Sequence, residues 1–313
     1  MPGLADVPGI AVGHASDREA LTGCTVVLGP FRGAADVRGL ATGTRELETL
    51  SLLHLAPRAD AILLTGGSAF GLHAADGVVE WLEAHGRGFD SGVARVPIVP
   101  AAVIFDLSLG SAERRPDAAM GRAACEAARP GENAEGAVGA GTGATVGKIL
   151  GMGGAMPGGV GTWAIEGPGC IIGALVVVNA LGDVVSPDGS ILAGARDASG
   201  EFVDALRILR GGGPIGDFSR LADLPPPGVN TVLAVVGTDA PLGRAALQAL
   251  ARMAATAVAR RIRPAHTPFD GDIVFAVSTA PEAHETGPVE LLTLGALAAD
   301  ALECAIERAV TSH

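Results

Sequence analysis

A chain of 313 residues with 48% apolar side chains can bury a sizeable core and is too apolar to be disordered. Its formal net charge of −12 argues against nucleic acid or an anionic membrane as the main partner, because phosphate recognition needs a basic face. Cys24, Cys125, Cys170 and Cys304 are scattered and form no C-x-x-C pair, so they read as reduced thiols of a cytoplasmic protein.

The first residues, Met1 to Asp6, lack a basic region followed by an apolar one, so no signal peptide is expected. Residues 9–14 and 24–28 read as short strands split by a polar loop. Asp36-Val37-Arg38-Gly39 and Gly43-Thr44-Arg45-Glu46 read as loop, and residues 47–55 as a short helix. Residues 61–64 form a buried strand that runs into Thr65-Gly66-Gly67-Ser68-Ala69-Phe70-Gly71, and a helix then extends to about His85. A glycine turn between strand and helix gathers backbone N–H groups, which suits an anion or a polarised carbonyl. Gly67 and Ser68 are therefore candidate substrate contacts. Ser68 has no G-x-S-x-G frame around it and is expected to cap the helix.

Residues 96–107 read as a strand and residues 116–128 as a helix with Pro116 in its first turn. The glycine-rich stretch from Gly136 to Lys148 fails as a phosphate loop. Thr142 stands where the first glycine is required, and Ile149 where a magnesium-binding Ser or Thr belongs. Gly139-x-Gly141-x-x-Ala144 matches a dinucleotide fingerprint, but no apolar strand precedes it. The stretch reads instead as close-packed backbone that delivers Lys148. That residue is the single lysine among 22 basic residues, and a buried ammonium changes pKa in a way that arginine does not.

Residues 151–161 read as a glycine-rich loop. Residues 171–178 form the most apolar strand, ending at Asn179, and the uncharged run that continues to Leu181 is too short to span a bilayer. Residues 182–185 suggest a hairpin return, and residues 202–209 a helix. Pro225-Pro226-Pro227-Gly228 reads as a linker. Beyond it the expected order is a strand at 231–236, a helix at 241–262 capped by Thr238 or Asp239, a loop at 264–272, a strand at 273–278 and a helix at 288–310.

Asn230-Thr231 stands at the mouth of the first of these strands. Such an X-Thr junction is what a self-cleaving N-terminal nucleophile hydrolase requires. Cutting it frees a Thr231 hydroxyl as nucleophile beside an α-amine of pKa roughly 7.7–8.0. A linker followed by an ordinary strand fits the same residues. Asp270-Gly271-Asp272 can bind a hard metal, share a proton or cap a turn. If its strand neighbours that of Thr231, the two carboxylates can orient the Thr231 amine and hydroxyl. Asn179 at its strand end can donate to an oxyanion, or serve only as a turn residue. The seven histidines show no paired-ligand spacing, so no catalytic metal and no cofactor are expected.

Taken together, Asp36-Val37-Arg38-Gly39, residues 65–72, residues 139–148, Val176-Val177-Val178-Asn179, Asn230-Thr231 and residues 266–272 are distinctive. With them the chain resembles, over nearly its whole length, the self-processing P1 (S58) peptidase family. That family includes L-aminopeptidase/D-esterases, β-peptidyl aminopeptidases and the endo-type 6-aminohexanoate (nylon) oligomer hydrolases. Asn-Thr at the cut, a lysine in the glycine-rich segment and Asp-Gly-Asp near the C-terminus resemble the nylon-oligomer branch. The resemblance implies an α+β fold, a four-layer αββα sandwich like that of N-terminal nucleophile hydrolases but with different connectivity. It also implies one domain cut into 1–230 and 231–313, and a homo-oligomer, often a tetramer.

By that likeness Thr231 is the nucleophile, Asn179 the oxyanion group and Lys148 a positioning cation, with Asp270 and Asp272 assisting proton transfer. The substrate is a peptide or a linear amide such as a 6-aminohexanoate oligomer. A tyrosine that many members carry is replaced by Phe105, and the chain has no tyrosine at all, so any substrate contact from that hydroxyl is missing. A rival enzyme reading is an acetyltransferase of the ornithine acetyltransferase type. A non-catalytic rival is a ligand-binding protein built on the glycine-rich segment.

Overall fold

The structure is a computed structural model that describes residues 2–211 and 230–312. Its strands follow one path: Gly159–Gly167, Cys170–Asn179, Thr231–Thr238, Ile273–Ser278, Thr22–Val37, Ala59–Thr65, Ala101–Val103 and Thr44–Arg45. Ala11–Asp17 pairs with Thr22–Val37 as well. The long strand Thr22–Val37 joins two layers. Its end, Arg32 to Val37, pairs with Ile273–Ser278, and its start pairs with Ala59–Thr65, with a register break between Leu28 and Phe31.

Side-chain alternation shows how the layers stack. Val176, Val178, Val232, Ala234, Val236, Val274 and Ala276 share one core with the helices Arg244–Ala254, Thr256–Arg261 and Pro288–Thr311. The alternate residues of the same strands, Leu175, Val177, Leu233, Val235 and Phe275, share a second core with Val27, Ile62 and Leu64. Cys24, Val26, Ala61 and Leu63 point the other way, into a third core under the helices Ala74–Ala84 and Ala118–Ala127. Because successive strand residues face opposite sides, three separate cores require four layers, helix–sheet–sheet–helix. The expected sandwich is present.

Several elements differ from the sequence expectation, for physical reasons. Residues 47–55 give only a 3-10 turn at Leu47–Leu50, since Leu53 and Leu55 are almost fully exposed and no apolar face is buried. The strand expected at 96–107 shrinks to Ala101–Val103, because Pro97 and Pro100 cannot donate to a ladder. Asp36 and Val37 are strand rather than loop. Residues 182–185 do not return along Cys170–Asn179; Asp183–Val185 joins Ile191–Ala193 and Ile262–Arg263 in a small separate sheet. The expected helix at 241–262 is two helices meeting at Ala255, and its N-cap is Gly243. The expected linker Pro225-Pro226-Pro227-Gly228 lies outside the described residues. Among the described residues, no helix is long and apolar enough to cross a membrane.

Strand Gly159–Gly167 was hidden by its glycines. They serve the helix Pro288–Thr311, which lies directly on this strand. A Cβ on Gly161 would stand 2.0 Å from the Ala305 carbonyl oxygen and 2.5 Å from the Ala309 nitrogen. Gly161→Val should therefore lift that helix and destabilise the protein by about 1–3 kcal/mol or more, read as a lower urea midpoint. An unchanged midpoint would contradict this packing.

Candidate active site

The strand Thr231–Thr238 is buried along its whole length. It runs antiparallel to Cys170–Asn179, with Thr231 opposite Asn179, and parallel to Ile273–Ser278, with Leu233 opposite Ile273. That register brings the loop before Ile273 level with the start of the Thr231–Thr238 strand, and Asn230 bridges Asp270. The chain leaving Thr22–Val37 holds the loop in place. The N–H groups of Arg38 and Gly39 donate to the Asp272 carbonyl, and that of Ala41 to the Asp270 carbonyl. Gly39 has to be glycine, since a Cβ there would lie 2.2 Å from the Asp272 nitrogen.

These elements bring Thr231, Asn179, Lys148, Asp270 and Asp272 to one end of the sheet, and none is more than 3% exposed. The Thr231 hydroxyl donates to the Asn230 carbonyl oxygen at 2.5 Å, and the same oxygen accepts the Gly271 N–H at 2.9 Å. Asp272 accepts the Val232 N–H at 2.7 Å on one oxygen. Its other oxygen meets His266, through the His266 N–H at 3.1 Å and Nδ1 at 2.8 Å. Asp270 accepts the Thr267 N–H at 2.7 Å.

Lys148 arrives by the expected route. The N–H groups of Gly147 and Lys148 donate to the Gly182 and Leu181 carbonyls, just past Asn179. Its Nζ then donates to the Asn179 side-chain oxygen at 2.7 Å and to the Asn179 carbonyl at 3.2 Å. Thr145 N–H donates to the same side-chain oxygen at 3.0 Å, and Asn179 Nδ2 donates to the Phe105 carbonyl at 3.1 Å. These partners fix which way the amide faces. Phe105 thus serves the cluster through its backbone. The glycine-rich segment is no phosphate cradle at its turn, because the Gly139 and Ala140 N–H groups are already taken by Ser16 Oγ and Thr25 Oγ1.

Asp106 was not anticipated. It is buried and accepts the Thr22 hydroxyl and the Gly67 N–H, both at 2.7 Å. Gly67 therefore binds a carboxylate, and its N–H already has an acceptor. Ser68 does not cap the helix by its side chain: it opens a 3-10 turn at Ser68–His73 whose N-cap is Gly67, because the chain turns there through left-handed backbone at both residues. His266 carries no local signal beyond its place in residues 266–272, and its pairing with Asp272 is visible only in space. A carboxylate directly after the apolar run Val103-Ile104-Phe105 was the available sequence signal for Asp106.

Burial perturbs the charges in opposite directions. It lowers Lys148 from 10.5 to about 7, opposed by the negative charges of Asp270 and Asp106. Asp270 is raised from 3.8 to about 6, by burial first and then by the neighbouring Asp272 charge, with Thr267 and Lys148 opposing. Asp106 is also raised by burial. A cavity of 440 Å³ lined by Asp183, Asp204, Arg207 and Arg263 lies elsewhere. The titrating groups and the strand-end hydroxyl converge at Thr231 instead, which marks that end of the sheet as the candidate site.

Comparison with known proteins gives the family and the fold. The profile of Peptidase family S58 matches residues 3–312. The chain belongs to this family. It is a hydrolase acting on amide bonds. An uncharacterized aminopeptidase of Mycobacterium tuberculosis is 44% identical over 98% of this chain and 92% of its own length. A 6-aminohexanoate-oligomer endohydrolase of Paenarthrobacter ureafaciens is 34% identical over 88% of this chain and 74% of its own. Among solved structures, a β-aminopeptidase of Burkholderia sp. superposes with a TM-score of 0.68 at 25% identity, covering 98% of this chain and 85% of its own. The L-aminopeptidase D-Ala-esterase/amidase of Ochrobactrum anthropi, described as a variant of the Ntn-hydrolase fold, gives 0.72 at 22% identity with 98% and 85% coverage. This S58 chain thus has an Ntn-hydrolase-like fold, as the sequence resemblance implied.

The sign of the Asp270 shift gives a test. A carboxyl raised in the folded state contributes stability below its unfolded pKa and loses it as pH climbs through about 6. In a Thr231→Ala background, stability should fall between pH 4 and 6, and Asp270→Asn should remove part of that fall. Urea midpoints at each pH read the difference. Parallel curves for the two proteins would contradict the assignment.

Proposed function

We propose that the chain cleaves itself between Asn230 and Thr231 and then works as an N-terminal-threonine amidase on peptides or linear amides. One observation carries the reading: the Thr231 hydroxyl lies 2.5 Å from the carbonyl oxygen of the bond to be cut. The hydroxyl attacks the Asn230 carbonyl, an N→O shift forms an ester, and water releases residues 1–230 from 231–313. In the mature enzyme Thr231 attacks the substrate carbonyl with its own α-amine as base. Asn179, oriented by Lys148, Thr145 and Phe105, stabilises the oxyanion. Asp270 and Asp272 assist proton transfer around the Thr231 amine, and water hydrolyses the acyl-enzyme.

Support comes from the burial of all five groups, from the relatives named as aminopeptidases and from those that act on 6-aminohexanoate oligomers. Small peptides and 6-aminohexanoate oligomers are the first substrates to try. The Gly67 and Ser68 N–H groups are already taken by Asp106 and the Ile104 carbonyl, so the candidate substrate contacts left are the Ser68 side chain and Phe105, which has no hydroxyl to offer. A cytoplasmic homotetramer belongs to the same reading; the four free cysteines accord with the compartment.

Thr231→Ala should remain one uncut chain and lose activity, whereas the wild-type chain should give two species by denaturing mass spectrometry, one beginning at Thr231. Amide hydrolysis that survives in Thr231→Ala would refute the nucleophile. Acyl transfer to an amino-acid acceptor in preference to water would favour an acetyltransferase.

A further inference from the structure

We propose that the backbone N–H of Gly271 is the oxyanion donor of the self-cleavage step, separate from the Asn179 amide that serves turnover. The proposal rests on the reading that the Asn230–Thr231 bond is cut. The Asn230 carbonyl oxygen has two donors, the Thr231 hydroxyl at 2.5 Å and the Gly271 N–H at 2.9 Å. When the hydroxyl oxygen turns onto the carbonyl carbon, its own hydrogen bond is given up. Negative charge then develops on an oxygen that only the Gly271 N–H still faces within this pair.

The direction of that carbonyl explains why a second donor is needed. In the uncut chain the acyl group is tied to the Thr231 nitrogen, so its oxygen points along the ladder toward the strand neighbour. That neighbour is the 270–272 loop, since Asn230 bridges Asp270 in parallel. Asn179 flanks Thr231 from the opposite strand, and its amide is held by Lys148, Thr145 and Phe105. An external substrate is not tied to the Thr231 nitrogen, so its carbonyl can face Asn179 instead.

The donor is also preorganised. The carbonyls on either side of Gly271 are fixed by the Ala41 N–H on Asp270 and the Arg38 and Gly39 N–H groups on Asp272. Glycine keeps the approach open, because a Cβ at 271 would lie 2.9 Å from Thr231 Oγ and 2.7 Å from the Ala41 carbonyl oxygen. The step balances within the chain. An Oγ–C bond forms and the C–N bond breaks. The hydroxyl proton ends on the departing Thr231 nitrogen. Water then divides the ester into the Asn230 carboxylic acid and the Thr231 hydroxyl.

The test replaces single N–H groups by ester oxygens in the full chain, made by cell-free translation with α-hydroxy acids on a suppressor tRNA. Glycolic acid at 271 removes the proposed donor and weakens the Asp270 carbonyl that accepts the Ala41 N–H. Lactic acid at 41 removes another hydrogen bond to the same loop, one that is not aimed at Asn230. Cleavage is followed on denaturing gels and scored on the protease-resistant, folded fraction, so that a loss of folding is not read as a loss of cleavage. The 271 ester should slow cleavage by about 10²–10³-fold, the usual effect of losing one oxyanion donor, and the 41 ester by no more than about tenfold. A 271 ester that cleaves at the wild-type rate would overturn this inference alone. Equal slowing by both esters would assign the effect to loop packing and overturn it as well. A folded wild-type chain that never cleaves would remove the reaction itself, and the proposed function with it.

Discussion

The site depends on a central strand, Thr231–Thr238, that is buried on both faces and paired on both edges. A backbone so enclosed has no water to satisfy it, so each N–H and C=O must find a neighbouring strand. Its register is equally constrained, because a slip by one residue would exchange Val232, Ala234 and Val236 with Leu233 and Val235 between two different cores. The position of Thr231 is therefore set by packing along the whole strand. Its neighbours at that end, Asn179 on one side and Asp270 to Asp272 on the other, are set by the same registers.

Enclosure also explains the electrostatics. A dry site penalises charge of either sign, so the lysine moves down and the carboxyl moves up until they lie near one another, at about 7 and about 6. Both groups therefore titrate closer to neutral pH than a solvated lysine or aspartate would. The cost of burying them is limited by the attraction of opposite charges across the site. Lys148 feels Asp270 and Asp106, and Asp272 holds the Val232 N–H and His266. Removing one member leaves an uncompensated charge, so these residues form a coupled unit.

Solved structures with 22–25% identity share the fold over almost all of this chain. Phe105 serves this fold through its carbonyl, which holds the Asn179 amide, a contact any residue can make. Gly67 likewise serves through its backbone, its N–H binding Asp106.

The sequence by itself determined the long, strongly patterned elements and the residues that chemistry restricts. The apolar strands ending at Asn179 and beginning at Thr231, the terminal helix, the lone lysine and the Asp-Gly-Asp turn were all legible, because periodicity and rare residue types are local signals. The tertiary structure alone decided what those signals met. Gly159–Gly167 was unreadable as a strand because its glycines answer to a helix more than a hundred residues away. Asp106, His266 and the Gly271 N–H joined the site only through strand register and loop tethering. Those are long-range pairings, and no local pattern of residues encodes them.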